Sequence, residues 1–292
     1  MNHFQTNPID DTILMSPQSP FIYSVANQKG GVGKTTTVVN LAAFLAARKA
    51  RVLIIDADPQ ANASSSLGIK LAEDDLSLYD ALVNQTPLPD IIRPTRRERL
   101  FVAPSAPELA AAEVELVQWL ARETVLKKTL QAVLPDYDFI FIDTPPSLGL
   151  LTVNALTASQ GVIIPVQCEY LPLEGLSQLV YTINLVRESL NPGLEIAGVV
   201  MTMYDGRTNL AADVVNEVKS HFPEQIFKTI IPRNVRLSEA PSYGEDILAY
   251  APGSPGSRAY QALTEELLVR VRRMLQGKQP HPYTNVWEGK SQ

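Results

Sequence analysis

From Phe21 onward the chain alternates short apolar runs rich in β-branched residues with longer stretches whose apolar positions recur at helical spacing. The short runs are apolar throughout, so they predict strands buried on both faces, as the central strands of a parallel sheet must be. They fall at Phe21–Ala26, Arg51–Asp56, Leu100–Ala103, Phe139–Asp143, Gly161–Val166, Ile196–Met201 and Ile226–Ile230. Helical spacing predicts helices over Lys34–Arg48, Leu76–Val83, Pro107–Trp119, Thr124–Val133, Leu173–Ser189, Leu210–His221 and Ser257–Gln276. Strand and helix in turn predict an α/β fold, a mostly parallel central sheet with helices on both faces in three α/β/α layers. Asn191-Pro192-Gly193 reads as a turn inside this array rather than a domain boundary.

Composition adds exclusions. Over 292 residues, 45% are hydrophobic and 19% charged, a globular balance that rules out disorder for the bulk. Against 31 acidic side chains stand 25 basic ones, a net charge of −6, so any nucleic-acid site has to be a local patch. Cys168 has no second cysteine to pair with, which fits a reducing cytosol and excludes an intramolecular disulfide. The apolar stretch Val38–Ala47 is broken by Asn40 and falls short of the roughly 18 residues of a membrane span. Residues 1–20, with Asp10, Asp11 and three prolines, read as a flexible leader rather than a secretory signal. Residues 277–292, with Pro280, His281, Pro282 and Trp287, read as a polar tail. His3, His221 and His281 are scattered and are assigned to neither catalysis nor metal.

Between the first strand and the first helix lies Asn27-Gln28-Lys29-Gly30-Gly31-Val32-Gly33-Lys34-Thr35-Thr36. Glycines let successive backbone N–H groups turn toward phosphate oxygens, and a helix N-terminus adds partial positive charge. In such a loop Lys34 reaches the β and γ phosphates and the Thr35 hydroxyl ligates Mg²⁺. Gln28 stands where the usual phosphate loop has its first glycine, and Lys29 follows it. A glycine-rich turn without a ligand is the alternative.

Two strand ends carry acids. Asp56 and Asp58 stand two residues apart, facing the carboxyl edge where open α/β sheets bind ligands, although a solvated turn before Pro59 reads equally well. The run Phe139–Ile142 ends in Asp143, an arrangement that brings a carboxylate to a magnesium ion beside Thr35, or simply caps a turn.

The lysine-bearing loop resembles the deviant Walker A sequence of the ParA/MinD family of P-loop ATPases, and its wording is most similar to the ParA/Soj type of partition ATPase. The similarity continues through Asp56-Ala57-Asp58-Pro59-Gln60, Asp143-Thr144-Pro145-Pro146, Met201–Leu210 and Ile231–Ser242, so residues 21–276 are expected to form the ATPase domain. It implies ATP and Mg²⁺ as cofactors. Residues Lys29 to Thr36 would hold the phosphates, with Lys29 reaching across an ATP-dependent homodimer. Asp58 would orient the attacking water, and Thr35, Asp56 and Asp143 would form the magnesium environment. Pro232 and Arg233 would lie near the adenine, and Arg207 and Arg236 would bind double-stranded DNA without sequence preference, ordinary solvated charge being the alternative for both. The resemblance further implies a ParB/Spo0J-type partner, DNA segregation, and a cytoplasmic, nucleoid-associated protein.

Two other functions share these features: a MinD-like membrane-cycling ATPase, which the two prolines of the tail oppose, and ParA-like positioning of a protein cargo. Arg93, Arg96, Arg97 and Arg99 read as a solvated loop before a DNA contact. Arg270, Arg272 and Arg273 suit a helix C-terminus and offer an extension of a DNA face.

Overall fold

The computed structural model describes residues 19–169 and 173–277. Its strands are β1 (Phe21–Val25), β2 (Val52–Asp56), β3 (Arg93–Pro94), β4 (Leu100–Ala103), β5 (Phe139–Asp143), β6 (Gly161–Gln167), β7 (Glu195–Tyr204) and β8 (Ile226–Pro232). The helices are α1 (Lys34–Ala47), α2 (Asn62–Ser66), α3 (Leu78–Leu82), α4 (Leu88–Ile91), α5 (Leu109–Glu115), α6 (Val125–Leu130), α7 (Leu150–Ala158), α8 (Leu173–Ser189), α9 (Asn209–His221), α10 (Val235–Glu239), α11 (Ile247–Tyr250) and α12 (Pro255–Leu275).

One sheet runs in the order β3-β4-β2-β5-β1-β6-β7-β8, parallel except for the β3–β4 pair. Alternate residues of each strand serve different layers. In β2, Val52 and Ile54 pack with Leu41 and Leu45 of α1 and Leu263 and Leu267 of α12. Leu53 and Ile55 pack on the opposite face with Leu78, Leu109, Leu130 and Leu151, from α3, α5, α6 and α7. A further cluster joins Val162 and Ile164 of β6 to α8 and α9. Burial on both faces explains the uninterrupted apolar runs.

Every expected strand is present, with ends displaced by at most a few residues. Local differences have physical causes. Within the arginine-rich loop, Arg93–Pro94 pairs antiparallel with β4 at the sheet edge, where proline's missing N–H is harmless. The helix expected over Pro107–Trp119 is α-helical only to Glu115 and tightens into a 3₁₀ turn at Leu116–Gln118. α7 has no counterpart among the expected helices, because Leu150–Ala158 is buried nearly all round and has no polar face to set a period. The leader and tail lie outside the described residues, apart from Ser19, Pro20 and Gly277.

β1, β2 and β5 lie side by side in register, Val25 opposite Asp143 and Asp143 opposite Asp56. Their carboxyl ends therefore bring the glycine-rich loop and two acids to one edge of the sheet.

Candidate functional site

The loop after β1 is tied down at both ends. The Asn27 amide donates to the Pro165 carbonyl at 2.7 Å, while its side-chain oxygen accepts from the Lys29 N–H at 3.0 Å. Gly31 and Gly33 have φ of 74° and 90°, left-handed values that a side chain strains. Gly33 also starts α1, its carbonyl accepting from the Thr37 N–H at 2.9 Å. Thr202 of β7 donates through its hydroxyl to the Val32 carbonyl at 2.9 Å, joining the loop to a strand far along the chain.

Lys34 is buried, and its ammonium donates to the Lys29 carbonyl at 3.3 Å. Burial lowers its pKa, and the nearby carboxylates of Asp143 and Asp58 oppose that shift. The Lys29 side chain is exposed. Thr35 donates through its hydroxyl to Asp143 Oδ2 at 2.6 Å. The other Asp143 oxygen, Oδ1, is buried with no hydrogen-bond partner among the described residues.

Asp56 is buried beside Asp143. Its Oδ2 accepts from both the N–H and the hydroxyl of Ser64, at 2.8 and 2.6 Å, and its Oδ1 from the Asp58 N–H at 3.4 Å. Asp58, also buried, accepts from the Gln60 N–H at 3.0 Å. Burial first, and the neighbouring acids after it, push Asp56 up to about 6 and Asp143 well above the usual carboxylate range. Lys34 thus has two acids near it, Asp143 and Asp58, with Asp56 beside Asp143 on the next strand, and the Asp143 oxygen without a hydrogen-bond partner among the described residues is open to a ligand.

That arrangement fits a divalent cation. Among the described residues no group of three His, Cys, Asp or Glu side chains is placed to hold a metal by itself. Such an ion would need oxygens from a phosphate as well, as magnesium ordinarily does. Thr35 and Asp143 are the residues that could hold it. Asp56, whose oxygens already accept three hydrogen bonds, holds the loop before α2 and adds negative charge next to the site. Sequence reasoning missed Ser64; its hydroxyl, accepting from the Ser105 N–H at 3.2 Å, links α2 to the end of β4, and no local signal announces that role.

Pro232 ends β8 opposite Tyr204 of β7, and Arg233 donates its N–H to the Tyr204 carbonyl at 2.9 Å while its guanidinium pairs with Glu169. Arg207 has a side chain 87% exposed but donates twice to Asp205, at 2.8 and 2.6 Å, and holds that carboxyl down at about 2. Arg236 is exposed and donates to Glu239 at 2.8 Å. Both expected DNA contacts therefore sit beside a carboxylate that offsets their charge.

Arg270 is not a surface cation extending a DNA face. Its guanidinium donates to the carbonyls of Ala197, Gln225 and Ile226 at 2.8 to 2.9 Å and lies 3.9 Å from the Phe227 ring centre. It fastens α12 to the ends of β7 and β8. Cys168 is buried, and burial pushes its thiol up to about 12, which fits packing rather than reactivity.

A family model described as an AAA domain matches residues 21–196. The sporulation initiation inhibitor protein Soj of Bacillus subtilis is 55% identical over 246 residues, 84% of this chain and 97% of that protein. The chromosome partitioning protein ParA of Myxococcus xanthus is 51% identical over 249 residues, 85% of this chain and 88% of that one. Among solved structures, cobyrinic acid a,c-diamide synthase of Mycobacterium smegmatis with bound ADP and magnesium superposes with a TM-score of 0.77 at 33% identity, covering 91% of this chain and 99% of that one.

Proposed function

The chain belongs to the ParA/Soj family of P-loop partition ATPases, and from that premise we propose that it hydrolyses ATP with Mg²⁺, dimerises when ATP is bound, and in that state binds double-stranded DNA without sequence preference. A ParB-type partner would stimulate the cycle and so segregate chromosome or plasmid DNA in the nucleoid.

The observation that carries this reading is the junction of Lys34, Thr35 and the orphaned Asp143 oxygen under the turns at Gly31 and Gly33. Backbone N–H groups of Gly30 to Thr36 bind the phosphates, the Lys29 N–H being held by Asn27, and Lys34 neutralises the β and γ oxygens. Thr35 and Asp143 hold Mg²⁺, with Asp56 as a neighbouring charge; the ion, when bound, stabilises charge on the transferred phosphoryl group. Asp58 accepts a hydrogen bond from the attacking water and fixes its line of approach. Lys29, exposed at the edge of the site, adds a cation to the phosphates of the second subunit. Pro232 and Arg233 border the adenine, and Arg207 and Arg236 contribute to the DNA face.

Binding of a random duplex measured without nucleotide, with ADP and with ATP, each with Mg²⁺, tests this reading. Binding with ATP alone supports it. ATP-dependent attachment to liposomes without DNA binding favours membrane cycling instead.

A further inference from the structure

Arg96 and Arg99, read from sequence as part of a solvated loop, lie in the structure at a groove of about 760 Å³ where the β3–β4 loop meets the end of α1 and the segment before α11. Lys49, Arg96 and Arg99 are exposed there. Both arginines donate to neutral backbone: Arg96 to the Tyr243 carbonyl at 3.3 Å and Arg99 to the Lys49 carbonyl at 3.1 Å. Among the described residues, no carboxylate lies within ion-pairing distance of these three cations. Arg97 differs, being locked to the buried Asp246 by two bonds of 2.7 Å. Glu98 and Glu245 also line the groove, so its cations exceed its acids on a chain of net charge −6.

The groove joins the expected DNA contact through residues in touch with one another, the first link being to the Tyr243 backbone. Arg96 meets Tyr243, the Tyr243 ring stacks on Tyr250 with centres 5.0 Å apart, the Tyr250 hydroxyl donates to Glu239 at 3.0 Å, and Glu239 pairs with Arg236. Tyr243 is 62% exposed along this line. A duplex carries one charge per roughly 1.7 Å of its axis, so it favours cations spread along a path over cations gathered in a cup. Unpaired cations also hold a phosphate better than cations that must first leave a carboxylate, as Arg207 and Arg236 must.

We propose that the groove of Lys49, Arg96 and Arg99, continued over Tyr243 to Arg236, is a track for the phosphate backbone of duplex DNA. The inference rests on the DNA-binding reading above and adds residues to it.

The test is a salt titration of random-duplex binding by the full chain with ATP and Mg²⁺. It compares wild type with Arg96→Gln, Arg99→Asn, Lys49→Asn and the triple variant. Asparagine is chosen where φ is 64° and 69°, values it tolerates. Each substitution lowers affinity, and the log–log salt slope falls by about 0.9 for each phosphate no longer neutralised, twice that in a two-fold dimer. Thermal melting and ATP hydrolysis without DNA stay at wild-type level, and Arg96→Lys retains the slope. A triple variant with unchanged affinity and slope, while Arg236→Glu binds weakly, overturns the track and leaves the DNA-binding reading intact. Loss of tripolyphosphate binding with DNA affinity unchanged also overturns it, marking a small-anion pocket. If wild type with ATP binds no duplex at all, the track and the reading beneath it fail together.

Discussion

At Lys34, burial and charge pull in opposite directions. Desolvation disfavours the ammonium and is the larger effect, lowering its pKa, while the carboxylates of Asp143 and Asp58 oppose that shift. Lys34→Ala removes a buried cation from the phosphate loop, and ATP affinity measured by calorimetry is expected to fall at least about 100-fold, the loss of a charge-assisted contact of roughly 3 kcal/mol. Asp143 makes the opposite kind of prediction. Its folded carboxyl titrates above the unfolded one, so its stabilising contribution is complete below the ordinary carboxylate range near pH 4 and is lost as pH rises through the folded value. In nucleotide-free, metal-free protein, Asp143→Asn should melt higher than wild type at pH 8, by roughly 2–4 °C for each kcal/mol relieved. The gap should narrow toward pH 4. A wild-type protein that melts higher than the variant at pH 8 would show that the buried carboxylate is not under strain.

The long helix α12 docks through an apolar face that includes Leu263, Leu267 and Val271, and through two polar side chains. Arg270 satisfies three carbonyls at the ends of β7 and β8, and Glu266, one turn earlier, accepts from the N–H groups of Lys228 and Thr229 at 2.8 and 3.0 Å. Arg270→Ala takes the guanidinium from those carbonyls, of which that of Gln225 still accepts from the Val199 N–H at 3.1 Å, and is expected to destabilise the fold by about 2–4 kcal/mol, read as a lower denaturant midpoint at unchanged slope. Phosphate-loop geometry is remote from this joint, so ATP affinity of the folded variant should be retained. In the sequence, three arginines near a helix end look alike. Their difference lies in which of them faces strand ends contributed by residues 44 to 73 positions away, and a local pattern carries no such information.

The proposed dimerisation and DNA binding would be properties of the whole molecule. The Lys29 side chain is exposed, and it is the backbone carbonyl, retained in alanine, that meets the Lys34 ammonium, so Lys29→Ala should keep ATP binding and lose both hydrolysis and the ATP-dependent dimer. Asp58→Ala should instead bind ATP and persist as a dimer, because turnover alone is removed. Size-exclusion chromatography with ATP and Mg²⁺ separates the two; a monomeric Asp58→Ala or a hydrolysing Lys29→Ala rejects the corresponding role. Arg207→Glu and Arg236→Glu should weaken binding to every duplex alike, with ATP affinity unchanged. The local carboxylates Asp205 and Glu239 already offset part of each charge, so the salt slope should fall by less than the full value of about 0.9 per phosphate. A full loss of slope in either variant would mean that its carboxylate releases the arginine when DNA binds.

The fold class, the strand positions and the phosphate loop are legible in the sequence alone, because each is written in neighbouring residues: uninterrupted apolar runs, glycines where φ turns positive, and Gly-Lys-Thr before a helix. Asp56 and Asp143 are legible as strand-ending acids for the same reason. Tertiary structure alone sets these two in register on adjacent strands and leaves one oxygen of Asp143 without a hydrogen-bond partner among the described residues. It also makes Ser64 and Thr202 braces of the site, draws Arg270 into the core, and lays Arg96 beside Tyr243. Those contacts join segments brought together by the sheet order, which places β5 between β1 and β2. Nothing within the span of one strand or helix encodes that order.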